Sequence, residues 1–154
     1  MALALLLVVP RRVALAERDS QKILVVDDDD AIRAMVERVL RRENYAVESA
    51  RDGQEAIERL ERSDYQTILL DLMMPRVDGL GVIRYLETNR PETTRSVIVM
   101  TANLHGASDA AVAGPVFNVI PKPFDIRTLI EQVRACQDGG SRPARELPDS
   151  EFVA

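Results

Sequence analysis

The residues most able to do chemistry stand where short apolar runs stop. Thr67, Ile68, Leu69 and Leu70 end in Asp71, and Ile23 to Val26 ends in Asp27, Asp28, Asp29 and Asp30. Val97 to Met100 ends in Thr101, and Phe117 to Ile120 leads into Pro121 and Lys122. Runs this short and apolar read as buried strands. In an open parallel α/β sheet, ligands bind outside the carboxyl ends of the strands, so these groups converge on one pocket if the sheet is of that kind. An aspartate is an adequate nucleophile toward an activated phosphoryl group, forming an acyl phosphate, provided the charge gathering on the phosphoryl oxygens is offset. Asp27 and Asp28 beside Asp71 repel one another unless a hard divalent cation such as Mg²⁺ joins them. The chemistry indicated is metal-assisted phosphoryl transfer.

Plainer roles compete for several of these residues. An aspartate run before a helix is often a capping segment set against the helix dipole, which is the role expected of Asp29 and Asp30. Thr101 alone would be a strand-end residue and Lys122 a solvated cation. Their occurrence together with Asp71 favours the site. Asp78-Gly79 reads as a turn, and Met73 and Met74 as loop and core residues. His105, the only histidine, has no companion for a metal site.

The elements that must position these groups alternate along the chain. After the strand 23–26, Ile32, Met35, Val36, Val39 and Leu40 recur at helical spacing through Ala31 to Arg42, with Asp30 placed to cap the first turn. Ala46 to Ala50 is a short strand, and Ala56, Ile57 and Leu60 stripe a helix from about Gln54 to Arg62. The strand ending at Asp71 passes through Pro75 and Asp78-Gly79 into a helix bearing Leu80, Ile83 and Leu86, closed by Pro91. A strand at 97–100, a weak alanine-rich helix over Ala107 to Ala113, a strand at 117–120 and a helix with Ile126, Leu129, Ile130 and Val133 complete five pairs. Parallel strands need right-handed crossovers, so the pattern predicts a three-layer, doubly wound α/β fold with five parallel strands.

With 154 residues and 46% apolar composition, the chain suits one soluble globular domain. The net charge of −5, with acidic and basic residues interspersed, leaves no concentrated footprint for nucleic acid. The single cysteine, Cys136, excludes an intrachain disulfide and reads as a small helix residue in a reducing compartment. Met1 to Val9 is almost wholly apolar, yet Arg11 and Arg12 follow it instead of preceding it, Pro10 interrupts, and the run is far below the ~20 residues that span a bilayer. Residues 1–20 are therefore read as an extension, either loosely packed or translated from a start placed too far upstream. Residues 138–154 are read as a disordered polar tail too short for a second core.

Across roughly Lys22 to Gln137, Ile-Leu-Val-Val-Asp-Asp-Asp at 23–29, Leu-Leu-Asp-Leu-Met-Met-Pro at 69–75, Asp78-Gly79, Thr101-Ala102 and Lys122-Pro123-Phe124 resemble the receiver domain of two-component response regulators, in the family's order and near its spacing. The resemblance implies strand order 2-1-3-4-5 and transient phosphorylation of Asp71 by a phosphohistidine on a histidine kinase or phosphotransfer protein. It implies Mg²⁺ held by Asp28 and Asp71, by Asp27 directly or through water, and by the backbone carbonyl of Met73. Lys122 would neutralise a phosphoryl oxygen, Thr101 would hydrogen-bond another, and the Lys122–Pro123 bond would be cis.

One departure bears on the output. The family commonly places an aromatic ring three positions before the lysine, a ring that moves inward with the threonine, and here that position is Val119. By two-residue alternation Phe117 points to the same side of the strand, so it is expected to substitute. The reading is a stand-alone cytoplasmic receiver that binds a protein target when phosphorylated, a homodimer remaining open, with no membrane or nucleic-acid partner and only self-directed phosphoryl chemistry. A phosphorylation-independent interaction module is the competing reading. A turnover phosphatase is disfavoured, because the second acid such enzymes place two residues on is here Met73.

Overall fold

In the computed structural model, which describes residues 22–102 and 114–139, five parallel strands alternate with helices. In chain order these are β1 (Lys22–Val26), α1 (Asp30–Arg42), β2 (Ala46–Ala50), α2 (Gly53–Arg62), β3 (Thr67–Asp71), α3 (Gly79–Asn89), a 3₁₀ turn (Pro91–Ser96), β4 (Val97–Thr101), β5 (Asn118–Pro121) and α4 (Ile126–Gln137). The sheet order is β2-β1-β3-β4-β5, so the expected doubly wound arrangement holds. The register sets Val26 beside Leu70, Asp71 beside Met100 and Thr101 beside Pro121. The strands therefore end nearly level, and the residues just past them share one rim.

Two-residue alternation divides the core between the faces of the sheet. Leu24, Val26, Ile68, Leu70, Val97 and Val99 pack with Ala56 and Leu60 of α2 and with Val82, Ile83 and Leu86 of α3. On the other face Ile23, Val25, Leu69, Ile98 and Met100 meet Val36 and Leu40 of α1 and Leu129 and Val133 of α4. These are the three layers expected. Strands buried on both faces explain the unbroken apolar runs at 23–26, 68–70 and 97–100.

Each described α-helix starts on an aspartate. The side chains of Asp29, Asp52, Asp78 and Asp125 accept backbone N–H bonds from the first turns of α1, α2, α3 and α4. This corrects the cap expected at Asp30: Asp29 caps α1, accepting from Ala31 and Ile32, and Asp30 is the first helical residue, where its charge still faces the positive end of the dipole. Asp78 likewise does more than make a turn. The 3₁₀ turn after Pro91 was not expected. Its PETTRS sequence has no apolar stripe, and only Thr94 is buried.

Phe117 also requires correction. It lies one residue before β5 and packs into the core of α1 and α4, whereas Val119, inside the strand, packs against the opposite core. Alternation holds only within the pleat, and Phe117 lies outside it, so the two side chains do not share a side. The helix expected at 107–113, His105, the extension 1–20 and most of the tail fall outside the described residues. No described helix is long and apolar enough to cross a membrane.

Candidate functional site

Strand ends bring the acidic residues together. Asp71 is the last residue of β3 and Asp27 the first after β1, a level pair because Val26 and Leu70 are in register. Both are buried, at 3% and 0% exposure, while Asp28 beside them is exposed. Carboxylate oxygens of the three lie within 4.8 Å of one another. Thr101 ends β4 and is buried, and Lys122 follows β5, its backbone N–H donating to the Thr101 carbonyl at 2.7 Å.

The Lys122 ammonium reaches across the rim. Its Nζ donates to Oδ2 of Asp27 at 2.6 Å and stands 3.4 Å from Oδ2 of Asp71. The Lys122–Pro123 peptide is cis. The second oxygens are held by backbone: Asp29 N–H donates to Oδ1 of Asp27 at 2.9 Å, and Met73 N–H to Oδ1 of Asp71 at 3.1 Å. Met73 itself is 64% exposed, whereas Met74 is core, so the division expected of the two methionines holds.

Among the described residues the electrostatics are lopsided, with three carboxylates grouped around one ammonium. Burial pushes the Asp71 carboxyl above its ordinary value, opposed by the Met73 N–H and Lys122 and reinforced by Asp27. Burial works against the Lys122 ammonium, but the two aspartates outweigh it and raise its pKa. Three hard oxygen donors so close, two of them buried, match what a small divalent cation requires, and Mg²⁺ fits this donor set. Its charge would relieve the repulsion that Lys122 only partly offsets.

Two supports were missed from sequence. Arg33 donates from Nη1 to the Asp27 carbonyl at 2.8 Å and pairs with Asp30, steadying the loop that carries Asp27 and Asp28. Its three-residue spacing from Asp30 was legible as a helical ion pair. The bond to a strand-end carbonyl was not. Arg76 pairs with Asp52 at 3.1 Å, joining two loops 24 positions apart, and nothing in the spacing announces it.

An open 2-1-3-4-5 sheet with an acidic, lysine-bridged cation site at its carboxyl rim defines a flavodoxin-like α/β protein built for phosphoryl chemistry. More narrowly, the chain belongs to the response regulator receiver domain family, whose pattern matches residues 23–134. It is 38% identical over 120 residues to the transcriptional regulatory protein ResD of Bacillus subtilis, covering 77% of this chain and 49% of ResD. It is 38% identical over 117 residues to the response regulator MprA of Mycobacterium leprae, covering 74% of this chain and 50% of MprA. The chain spans about half the length of these curated relatives. Among solved structures it resembles the response regulator protein TrrA of Thermotoga maritima in complex with Mg(2+)-BeF, with a TM-score of 0.68 and 29% identity over 75% of this chain and 98% of that one.

Proposed function

We propose that this receiver takes a phosphoryl group onto Asp71 from a phosphohistidine of a sensor histidine kinase or histidine phosphotransfer protein, in the cytoplasm. The observation that carries the reading is the single Lys122 ammonium shared by Asp27 and Asp71 inside a three-carboxylate cluster. Asp27, Asp28, Asp71 and the Met73 carbonyl would hold Mg²⁺, whose charge would offset that on the phosphoryl oxygens. A carboxylate oxygen of Asp71 forms the new bond to phosphorus as the P–N bond breaks, and the imidazole nitrogen leaves with the bonding pair. Lys122 neutralises one phosphoryl oxygen and the Thr101 hydroxyl donates to another. Attack of water on phosphorus later returns the Asp71 carboxylate, so the chemistry remains self-directed.

The output is a population shift toward a conformer in which Thr101 is drawn to the phosphoryl group, and that conformer binds a protein target. Val119, half-buried beside Val99 and smaller than an aromatic ring, stands at the position where the family commonly places that ring. Phe117, anchored in the opposite core, does not replace that ring.

Intact-protein mass spectrometry after incubation with Mg²⁺ and a small acyl phosphate tests this. One phosphoryl increment is expected in the wild type, lost on chelating the metal and absent in Asp71→Ala. No adduct from either the small donor or a phosphorylated kinase would overturn the reading in favour of a phosphorylation-independent binding module.

A further inference from the structure

The loop from β3 to α3, residues 72–78, carries the Met73 N–H that holds Asp71, and it is fastened from outside the site. Arg76 has φ 65°, the left-handed region that side chains larger than Asn or Asp seldom enter. Its guanidinium meets Oδ2 of Asp52 at 3.1 Å, while Oδ1 of the same buried carboxylate accepts the Glu55 N–H at 2.8 Å and so caps α2. One carboxylate therefore ties the first turn of α2 to the acceptor loop.

Two glycines tighten the same junction. A Cβ at Gly53 would sit 2.2 Å from the Val77 carbonyl oxygen, so the start of α2 touches the loop backbone to backbone. A Cβ at Gly79 would sit 2.4 Å from the Asp71 carbonyl oxygen, so the start of α3 presses on the acceptor residue itself. The Arg76 side chain is 75% exposed, and an ion pair so open contributes little to stability. A disfavoured backbone conformation held by a weak pair is poorly explained by stability alone. Such conformations concentrate where surrounding structure holds a functional geometry in place.

We propose that Asp52 and Arg76 are positioning residues for the phosphoryl site: their pair sets the loop so that the Met73 peptide presents its N–H to Asp71 and its carbonyl to the cation. Neither touches the reacting atoms. The inference rests on the receiver reading above, in which Met73 and Asp71 hold Mg²⁺.

Three observables separate positioning from a merely structural staple: calorimetric Mg²⁺ titration, thermal midpoint, and hydrogen exchange at the Met73 amide, each on the full chain. Arg76→Asn keeps a residue that tolerates the left-handed conformation, and Asp52→Asn keeps the capping oxygen while removing the charge. Each is expected to weaken Mg²⁺ binding about tenfold, the scale for losing a partner that orients a metal ligand. Arg76→Asn should leave the midpoint unchanged or higher, the Met73 amide should exchange faster in both variants, and the double variant should lose no more affinity than either alone. Arg76→Lys, which retains the charge, should recover part of the loss. Wild-type affinity in the single variants, or additive losses in the double one, would overturn the proposal. If the wild type itself bound no Mg²⁺, the receiver reading would fail; Met73 exchange would still decide the clasp, and unchanged exchange would refute it.

Discussion

Two clusters in this molecule set carboxylates against a lysine, and they behave in opposite ways. At the carboxyl rim, Lys122 is the one cation paired with Asp27 and Asp71 among the described residues, Asp28 adds a third carboxylate beside them, and burial drives the Asp71 carboxyl upward. Along β2, Glu48 is opposed by burial too, but Lys22, the Tyr65 hydroxyl at 2.6 Å and Arg59 at 3.3 Å bring its carboxyl below the ordinary value. Lys22 also lies over the Tyr65 ring at 5.4 Å, and Arg59 reaches Glu55 at 3.2 Å. Two cations and a hydroxyl complete the Glu48 carboxylate. The rim cluster is left short of positive charge. A protein completes its structural ion pairs internally, whereas a site awaiting a cation and a phosphoryl group leaves the deficit open.

The largest effect that would break this contrast is chemical. Asp71→Ala should abolish the phosphoryl adduct by mass spectrometry, while Glu48→Gln leaves it intact. Lys122→Ala should slow adduct formation about 10²–10³-fold in a time course, the scale for removing one preorganised charge-stabilising donor. Metal binding sharpens the comparison. With Mg²⁺ at 100 times its Kd, the wild type and Glu48→Gln should each gain about 2.7 kcal/mol in chemical denaturation, and Asp28→Asn should gain much less at the same concentration.

Smaller effects concern pH and the sign of stability. Glu48→Gln should lose about 1–2 kcal/mol at pH 7, because it removes charge-assisted bonds from Lys22, Arg59 and Tyr65. Since folding lowers the Glu48 pKa, its contribution is full above the unfolded value and is lost as pH falls through the folded one. The variant and wild type should therefore begin to converge in urea midpoint as pH falls below the ordinary carboxylate range, and coincide below the folded value. Asp71→Asn should act in the opposite sense in the metal-free protein. Folding raises the Asp71 pKa, so its ionised form is a burden that grows as pH rises through the folded value, and the variant should be the more stable at pH 7 with the gain gone in acid. A loss of stability in metal-free Asp71→Asn at pH 7 would break the comparison.

Much of the rim was legible because Asp27, Asp71 and Thr101 directly follow apolar runs and Lys122 comes one residue after another, and a run buried on both faces, as in β1, β3 and β4, leaves little freedom about where it ends. Asp27, Asp71, Thr101 and Lys122 were found by that signal, and the register then set them level. The Glu48 cluster carried no such mark. Lys22, Glu48, Arg59 and Tyr65 come from three elements and a loop, and their spacing resembles that of any mixed-charge surface. Asp29 and Asp30 are adjacent carboxylates of equal capping ability, and only backbone geometry, extended at Asp29 with φ −78° and ψ 108°, chose between them. Phe117 was misplaced because the start of a strand is the least constrained part of its pattern.

By itself, then, the sequence determined the order of strands and helices, the layers they build and the acidic rim, since these follow from hydrophobic period and the handedness of crossovers. Only the tertiary structure decided how the charges pair: Lys122 with Asp27, Arg33 on a carbonyl, Arg76 with Asp52 across 24 positions. Periodicity is a local, one-dimensional property that the chain carries openly. Ion pairing depends on distances of a few ångströms between distant segments, and those distances exist only once the sheet has set its register.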